Sequence, residues 1–189
     1  MTSKRVSADA AADDAVTPDE NPGDKSGDKS GDKPGQRPGQ RPKVKRAKGE
    51  RSARRRSREF AVQALYAWQL ADTPLRDLIA QTSEMEEYTK ADEACFKRLL
   101  GGAIREAPAL REAIGPHIDR PWAELSPVER SILLLAAYEL KESQEVPFRV
   151  VINEAVEIAK SFGGTDGHRY VNGVLDKLAR VLRPLEPAR

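Results

Sequence analysis

The chain has 189 residues, with 32 Lys and Arg against 30 Asp and Glu, and a formal net charge of +2. Its single cysteine, Cys95, excludes an internal disulfide. With His117 and His168 it falls short of a four-ligand zinc site, so we expect no metal and a reducing cytoplasm. No apolar signal peptide follows Met1, and the longest strongly apolar run, residues 132–138, is far below the roughly 20 residues that span a bilayer.

Charge divides the chain into two unlike parts. Residues 1–58 carry 16 basic and 9 acidic side chains, a net charge of +7, whereas residues 59–189 carry 16 basic and 21 acidic ones, a net charge of −5. Within the first part, residues 33–58 hold 12 Lys and Arg and one acid, Glu50. This concentration of positive charge is typical of a segment that binds a polyanion.

Residues 1–50 have the composition of a disordered segment. The first aromatic residue is Phe60 and only three valines precede it, so this segment cannot bury enough apolar surface to offset its conformational entropy. Residues 23–42 form a degenerate repeat, GDKS twice, GDKP once and GQRP twice, which predicts a flexible spacer. We therefore expect a disordered tail over residues 1–50, basic toward its end, and one folded domain over residues 51–189.

Apolar residues at helical spacing begin at Phe60, and no alternating pattern predicts a strand. The first stripe ends near Asp72, after which Thr73 is placed to cap a second helix with Pro74 at its first position. A third helix is predicted, interrupted near Pro108, and a short helix follows. The apolar residues that mark the first, third and short helices are Phe60, Ala64, Leu65, Trp68, Phe96, Leu99, Leu100, Ala103, Ile104, Leu110, Ile114 and Ile118.

The second half gives clearer helix signals. Ser126, Pro127 and Glu129 predict a capping box with proline at the first helical position. The helix that follows is apolar around nearly its whole circumference, so we expect it at the centre of the molecule. Two more helices are predicted, one from Pro147 to the glycines at 163 and 164, and one that ends at Pro184. The pattern as a whole predicts an all-α bundle of about seven helices.

Residues that could support catalysis are isolated from the partners they would need. His117 and His168 have no serine or cysteine neighbour that would form a nucleophile–base pair, and Cys95 beside a helical stripe is typical of a core residue. The loop GGTDG, residues 163–167, lacks the strand and the Gly-Lys-Ser/Thr ending of a phosphate loop. We interpret Asp166 in this loop as a helix cap, with hydrogen bonding to a nucleic-acid base as the alternative.

One basic run leads directly into the first helix. Guanidinium groups at this spacing can bind the phosphates of a nucleic acid, although a solubilising tail would have the same composition. The run consists of Arg51, Arg54, Arg55, Arg56 and Arg58. On the same helix, Trp68 falls in the apolar stripe and is expected in the core, whereas Tyr66 lies about 160° around the helix axis from it and could stack on an unpaired base.

Four separated segments resemble the NusB family of bacterial transcription antitermination factors. They are residues 54–70 (RRRSREFAVQALYAWQL), residues 128–140, residues 147–162 (PFRVVINEAVEIAKSF) and residues 168–177 (HRYVNGVLDK). The resemblance extends from about residue 54 to 184. It implies an all-helical bundle of two subdomains that binds the boxA element of ribosomal RNA leaders. It further implies that binding occurs with the ribosomal protein NusE, in a complex on RNA polymerase.

The resemblance also assigns residues to these ligands. It implies RNA contacts at seven positions, namely Arg54, Arg55, Arg56, Arg58, Tyr66, Asp166 and Tyr170. It places Glu129 near the ribosomal protein, so that partner binding and the capping box compete for one carboxylate unless each uses one oxygen. The tail before residue 50 lies outside the family pattern, and the 163–167 loop carries three glycines where similar proteins often have fewer.

Two alternatives follow from the same sequence. The first is a helical protein-interaction scaffold without sequence-specific RNA binding. The second is enzymatic, because a similar helical domain is found fused to ribosomal RNA methyltransferases. Methyl transfer by this chain is disfavoured, because the sequence has no strand-rich segment and no glycine-rich cofactor turn. We therefore expect a non-enzymatic protein that needs no cofactor. The sequence leaves open whether the free protein is a monomer or a homodimer.

Overall fold

The computed structural model describes residues 48–186, which form seven α-helices and three short 3₁₀ turns and contain no strand. The helices are α1 Lys48–Ala71, α2 Leu75–Ser83, α3 Glu93–Arg105, α4 Ala107–Ile114, α5 Pro127–Glu142, α6 Phe148–Phe162 and α7 Gly167–Leu182. The prediction of an all-α bundle of about seven helices is confirmed. The predicted disordered tail lies outside the described residues except for its last three positions, which belong to the first turn of α1.

Helix α5 lies at the centre, as its apolar circumference predicts. Every residue from Ser131 to Leu140 is buried, and α5 contacts α1, α3 and α4 as well as α6 and α7. Helices α1, α2 and α3 pack against one another and α4 packs mainly against α5, while α6 and α7 pack against each other. This division into two groups that share α5 agrees with the two subdomains that the resemblance implies.

The predicted capping box begins α5. The Ser126 Oγ accepts a hydrogen bond from the backbone N–H of Glu129 at 3.2 Å, and the Glu129 Oε2 accepts one from the backbone N–H of Ser126 at 2.9 Å. Pro127 occupies the first helical position, where its missing N–H costs nothing. Two donors that would otherwise be unpaired are therefore satisfied, and the start of the central helix is fixed.

The predicted start of α2 is wrong in detail. The residue that precedes the helix is Pro74, and no side chain caps it, so Thr73 does not act as the cap. The reason lies one residue earlier, because Asp72 adopts a left-handed backbone conformation (φ 49°) that turns the chain sharply after α1. The Pro74 carbonyl instead accepts the first helical hydrogen bonds from the N–H groups of Asp77 and Leu78.

The break between α3 and α4 is found at Glu106, two residues before Pro108, as the prediction of an interruption near this proline requires. Helix α3 ends at Arg105, and Pro108 occupies the first turn of α4, where proline is tolerated. Helix α4 ends at Ile114 and a 3₁₀ turn, Gly115–His117, follows, so Ile118 lies beyond the short helix that its spacing predicts. Ile118 nevertheless packs against the core.

Side-chain burial agrees with the other apolar predictions. Cys95 is buried in the core, where burial raises the pKa of its thiol, and Trp68 packs against the core while Tyr66 is exposed. Among residues 48–186 there is no helix long and apolar enough to cross a membrane.

Gly102 allows α3 and α5 to approach each other closely. A Cβ at this position would overlap the ring of Tyr138, which is itself buried. We expect Gly102→Ala to lower the free energy of unfolding by about 1–3 kcal/mol, because the buried Tyr138 ring must shift to make room for the Cβ. Urea denaturation followed by circular dichroism measures this change.

Gly101 provides a matched control in the same helix. A Cβ there would lie 3.4 Å from Leu75 Cδ2, an ordinary contact, and alanine favours helix over glycine by about 1 kcal/mol. Gly101→Ala should therefore leave the protein equally or more stable. If both variants had the same stability, the Tyr138 ring would be shown to move without cost.

Candidate nucleic-acid interface

Three of the predicted arginines are exposed near the start of α1. The side chains of Arg54, Arg55 and Arg56 are 48%, 41% and 34% exposed. Successive residues of a helix point about 100° apart, so the three guanidinium groups cover a broad part of the helix circumference. Each presents planar paired donors of the kind that bind phosphate oxygens.

Each of these arginines also has a carboxylate neighbour. Arg54 Nε lies 3.7 Å from Asp92 Oδ2, and Arg56 Nη2 lies 3.7 Å from Glu87 Oε2. Arg55 donates a hydrogen bond to Glu59 on the next turn at 3.1 Å. Ion pairs at this exposure contribute about 0–1 kcal/mol, so a phosphate can replace the carboxylate at small cost. The pairs hold the guanidinium groups in place and also cancel part of their charge.

The arginine-bearing turn is fixed to the start of α3. Buried Ser57 donates a hydrogen bond to the Asp92 carbonyl at 2.7 Å and accepts one from the Asp92 N–H at 2.9 Å. The Asp92 carboxylate in turn caps α3 by accepting from the N–H of Cys95 at 3.0 Å. The exposed arginines therefore project from a rigid backbone.

Arg58 does not belong to this exposed surface. Its guanidinium is 8% exposed and donates two hydrogen bonds to Glu139 on α5, from Nε at 2.8 Å and from Nη2 at 2.5 Å. Burial alone would lower the pKa of Arg58, but the hydrogen bonds and the charge of Glu139 outweigh it and raise the pKa. The structure thus places Arg58 between α1 and α5 and not on the predicted RNA surface.

Tyr66 shares a face of α1 with Arg55. Tyr66 lies eleven positions after Arg55, which places the two side chains about 20° apart around the helix axis and about 16 Å apart along it. The Tyr66 ring is 40% exposed, and the side chain of Leu70, one turn further, is also exposed. A cationic group at one end and an aromatic ring at the other can bind a strand through a phosphate and a base together.

Charges from α1 and from the start of α7 both act on one carboxylate of α6. The pKa of Glu157 on α6 is lowered, first by a hydrogen bond from Lys160 and then by further charges, among them Arg55 and His168. His168 is the second residue of α7, so both ends of the folded chain contribute positive charge at this carboxylate.

Asp166 occupies the position before α7, but its side chain caps nothing. The interpretation of this carboxylate as a helix cap is therefore wrong. Its Oδ1 instead lies 3.3 Å from Arg169 Nη1 one turn later, and both side chains are exposed. The Asp166 carbonyl accepts the first hydrogen bonds of the helix, while the exposed carboxylate faces solvent beside Arg169.

Tyr170 is half-buried beneath Arg120. The Arg120 guanidinium lies 4.8 Å from the centre of the tyrosine ring, and it also donates a hydrogen bond to Asp119 at 2.8 Å. Burial raises the pKa of Tyr170, and the negative charge of Asp119 raises it further. A base could stack on this ring only where Arg120 moves aside or stacks with it.

Glu129 contacts α7 as well as its own helix start. Its Oε2 completes the capping box, while Oε1 lies 3.7 Å from the position that a Cβ of Gly167 would occupy. Within residues 48–186, Oε1 accepts no hydrogen bond. One oxygen is thus used by the cap and the other is available, as the predicted dual role requires.

Sequence reasoning did not identify Arg120 or Lys160 as part of this region. Each is a single cation that no basic run or motif distinguishes, and only the fold brings it beside Tyr170 or Glu157. The described residues contain no group of three or more His, Cys, Asp or Glu side chains placed to hold a metal ion.

Comparison with known proteins assigns the chain to a family. A model of the NusB family matches residues 55–180. The transcription antitermination protein NusB of Bordetella pertussis (strain Tohama I) is 56% identical over 140 residues, which cover 72% of this chain and 91% of that protein. The solved structure of T. maritima NusB has a TM-score of 0.61 and 30% identity, and the match covers 67% of this chain and 90% of that one.

A further solved structure shares the fold. A chain from the crystal structure of antitermination factors NusB and NusE in complex with dsRNA has a TM-score of 0.60 and 23% identity, and the match covers 68% of this chain and 97% of that one. The family model and the identity to curated relatives both cover more than half of the chain. The chain therefore belongs to the NusB family, whose curated relatives are transcription antitermination proteins.

Proposed function

We propose that this protein is a cytoplasmic transcription antitermination factor that binds the boxA element of ribosomal RNA leaders. It binds together with the ribosomal protein NusE, as part of an antitermination complex on RNA polymerase. Family membership supports the antitermination role, and a structure with the same fold was solved with NusE and RNA. The observation that supports the RNA site is the arginine turn of α1, whose three partly exposed guanidinium groups lie on the same helix as exposed Tyr66.

In this proposal, Arg54, Arg55 and Arg56 exchange their carboxylate neighbours for RNA phosphates. Tyr66 stacks on an unpaired base, while Asp166 and Tyr170 contact the strand where it passes the start of α7. Arg58 supports the site indirectly, because its bond to Glu139 holds α1 against α5. The interaction is one of binding only, and no covalent chemistry is assigned to these residues.

The partner surface follows from charge. Residues 59–189 carry a net charge of −5, which suits a basic ribosomal protein, whereas RNA must be attracted locally by the arginines. We propose that Glu129 contacts NusE through Oε1, while Oε2 keeps the cap of α5. A homodimer of the free protein stays a prediction, and sedimentation equilibrium over a range of protein concentrations would test it.

The arginine site predicts a specific change in salt dependence. For single-stranded RNA, the logarithm of the affinity falls linearly with the logarithm of the salt concentration. Each phosphate that a cation neutralises contributes about 0.7 to this slope. We therefore expect the triple variant Arg54→Ala, Arg55→Ala and Arg56→Ala to lower the slope by about 2 units. Fluorescence anisotropy of labelled boxA RNA, with NusE present and KCl varied, measures the slope.

A second triple variant separates the site from the effect of net charge. Arg76, Arg105 and Arg180 are exposed and lie on α2, α3 and α7, outside the proposed surface. Replacing these three with alanine removes the same charge and should leave the slope nearly unchanged. Equal slopes for the two triple variants would contradict the assignment of the α1 arginines to RNA. A wild-type protein that binds boxA and scrambled RNA equally would favour the scaffold alternative instead.

A further inference from the structure

The three partly exposed arginines of α1 offer little uncompensated positive charge to RNA. Arg54, Arg55 and Arg56 each have a carboxylate within 4 Å, and buried Arg58 is paired with Glu139. The residues that follow, 59–189, add a net charge of −5. Long-range attraction of a polyanion depends on net local charge, so the folded surface alone attracts RNA weakly.

The sequence just before α1 has the opposite character. Asp32 is the last acid before Glu50, so residues 33–48 contain no acidic side chain at all. We refer to residues 33–48 as the basic arm. Its seven cations are Lys33, Arg37, Arg41, Lys43, Lys45, Arg46 and Lys48. A polyanion that reaches this end of the chain therefore meets seven positive charges without a carboxylate competing for them in the arm itself.

The point of attachment links the arm to the proposed RNA site. Helix α1 begins at Lys48, and six residues of helix rise separate Lys48 from Arg54, about 9 Å. The arm therefore joins the domain at the end of α1 that carries the exposed arginines, and not at the end that carries Leu70. An RNA strand bound along α1 passes the place where the arm is attached.

We propose that the basic arm is a second RNA-binding element, which binds the phosphates of nucleotides flanking the segment held by α1. This inference rests on the proposed function of the α1 surface. The arm contacts the RNA backbone through Lys and Arg side chains and reads no bases, so it raises the affinity for boxA and scrambled RNA by the same factor. The α1 surface supplies selectivity, and the arm supplies a large part of the charge-dependent affinity.

The test uses the full-length protein with NusE present and labelled boxA RNA that carries flanking nucleotides on both sides. In the neutral-arm variant all seven cations become glutamine, for example Lys33→Gln and Arg46→Gln. In the shuffled-arm variant residues 33–47 keep their composition but change their order. Lys48 is left in place in the shuffled variant, because it begins α1.

The neutral arm should weaken binding of the extended RNA by about tenfold or more at 0.1 M salt and should lower the salt slope by about 3–5 units. The ratio of boxA to scrambled RNA affinity should stay within about twofold of the wild-type ratio, because phosphate contacts carry no sequence information. The shuffled arm should behave as the wild type. Neutralising the arm should lower the affinity for boxA RNA without flanking nucleotides by less than it lowers the affinity for the extended RNA.

Three outcomes would overturn the inference. The neutral-arm variant could keep the wild-type affinity and salt slope, the shuffled arm could lose as much affinity as the neutral arm, or the boxA preference could disappear with the arm. In the first case, continued preference of the protein for boxA would leave the proposed function intact. A wild-type protein that shows no boxA preference would instead contradict the proposed function itself, so the two failures are distinguishable.

Discussion

Arg58→Met should lower the free energy of unfolding by about 3–5 kcal/mol, the range observed when one partner of a buried ion pair is removed. The carboxylate of Glu139 is 2% exposed and would lose both hydrogen bonds from the guanidinium. Truncation would leave this carboxylate charged in a setting with little access to water. Urea denaturation at pH 7 measures the loss.

Two further variants identify the cause of that loss. Arg55→Ala removes an exposed arginine with an i,i+4 partner and should cost no more than about 0.5 kcal/mol. The double variant Arg58→Met with Glu139→Leu removes both charges and should be more stable than Arg58→Met alone, because no unpaired carboxylate remains. If the double variant were the less stable of the two, the lost bond to Glu139 would not explain the effect of Arg58→Met.

The same variant distinguishes support from contact at the RNA site. At a temperature where Arg58→Met is still fully folded, its affinity for boxA RNA and its salt slope should match those of the wild type. A contact residue would instead reduce the slope by about 0.7 units even in the folded protein. An assay at a temperature where the variant unfolds would give a loss of binding with no information about the site.

The example of Arg58 shows where sequence patterns end. Five arginines in eight positions predict a basic surface, but Arg58 points inward, and its partner Glu139 lies 81 residues away in the sequence. No local pattern distinguishes it from Arg54 or Arg56. The position of an ion pair between two helices depends on how they pack, and a single sequence does not contain that information in readable form.

Helix ends, in contrast, can be predicted from sequence where the interaction that fixes them is local. The capping box at Ser126 joins groups three residues apart, so its spacing alone predicts both hydrogen bonds. Thr73 and Asp166 have equally suitable side chains but cap no helix. At Thr73 a left-handed turn at Asp72 moves the chain, and at Asp166 the carboxylate lies beside Arg169. Residue type thus predicts which side chains can cap a helix, whereas the surrounding backbone determines whether they do.

The apolar stripes were the most reliable guide to the fold, because burial is collective. Helix α5 is predicted at the centre from its circumference alone, and all of its residues from Ser131 to Leu140 are buried. The candidate site needed more than this pattern. Tyr66 is correctly expected to be exposed, but the lowering of the Glu157 pKa by charges on α1 and α7 depends on how the helices pack.

Buried Arg183, just after α7, joins the end of α5 to the turn that leads into α6. Its Nε donates to the Leu140 carbonyl at 2.6 Å, and Nη2 donates to the carbonyls of Glu139 and Ser143. Its Nη1 donates to the Val146 carbonyl at 2.6 Å. A cation at the end of a helix also interacts favourably with the helix dipole, and the guanidinium satisfies the Leu140 carbonyl, which no backbone N–H of the described residues reaches.

Glu186 completes this arrangement. Its Oε2 lies 3.2 Å from Arg183 Nη1, and its Oε1 accepts a hydrogen bond at 2.9 Å from the N–H of Phe148, in the first turn of α6. The segment after α7 therefore holds the end of α5 and the start of α6 at the same time. Because α5 is the central helix, loosening this connection should affect the whole fold and not only the C-terminus.

We expect Arg183→Ala to lower the free energy of unfolding by at least about 3 kcal/mol, since buried carbonyls that lose a charged donor cost about 1–3 kcal/mol each and do not add fully. Arg183→Lys should recover only part of this, because an ammonium group has three donors and lacks the planar fork. Arg180→Ala, one turn earlier on the exposed face of α7, is the matched control and should change stability by less than about 0.5 kcal/mol. Thermal and urea unfolding of the three variants measure these differences. Equal stability of the Arg183→Ala and Arg180→Ala variants would show that water satisfies the carbonyls of α5 as well as the guanidinium does.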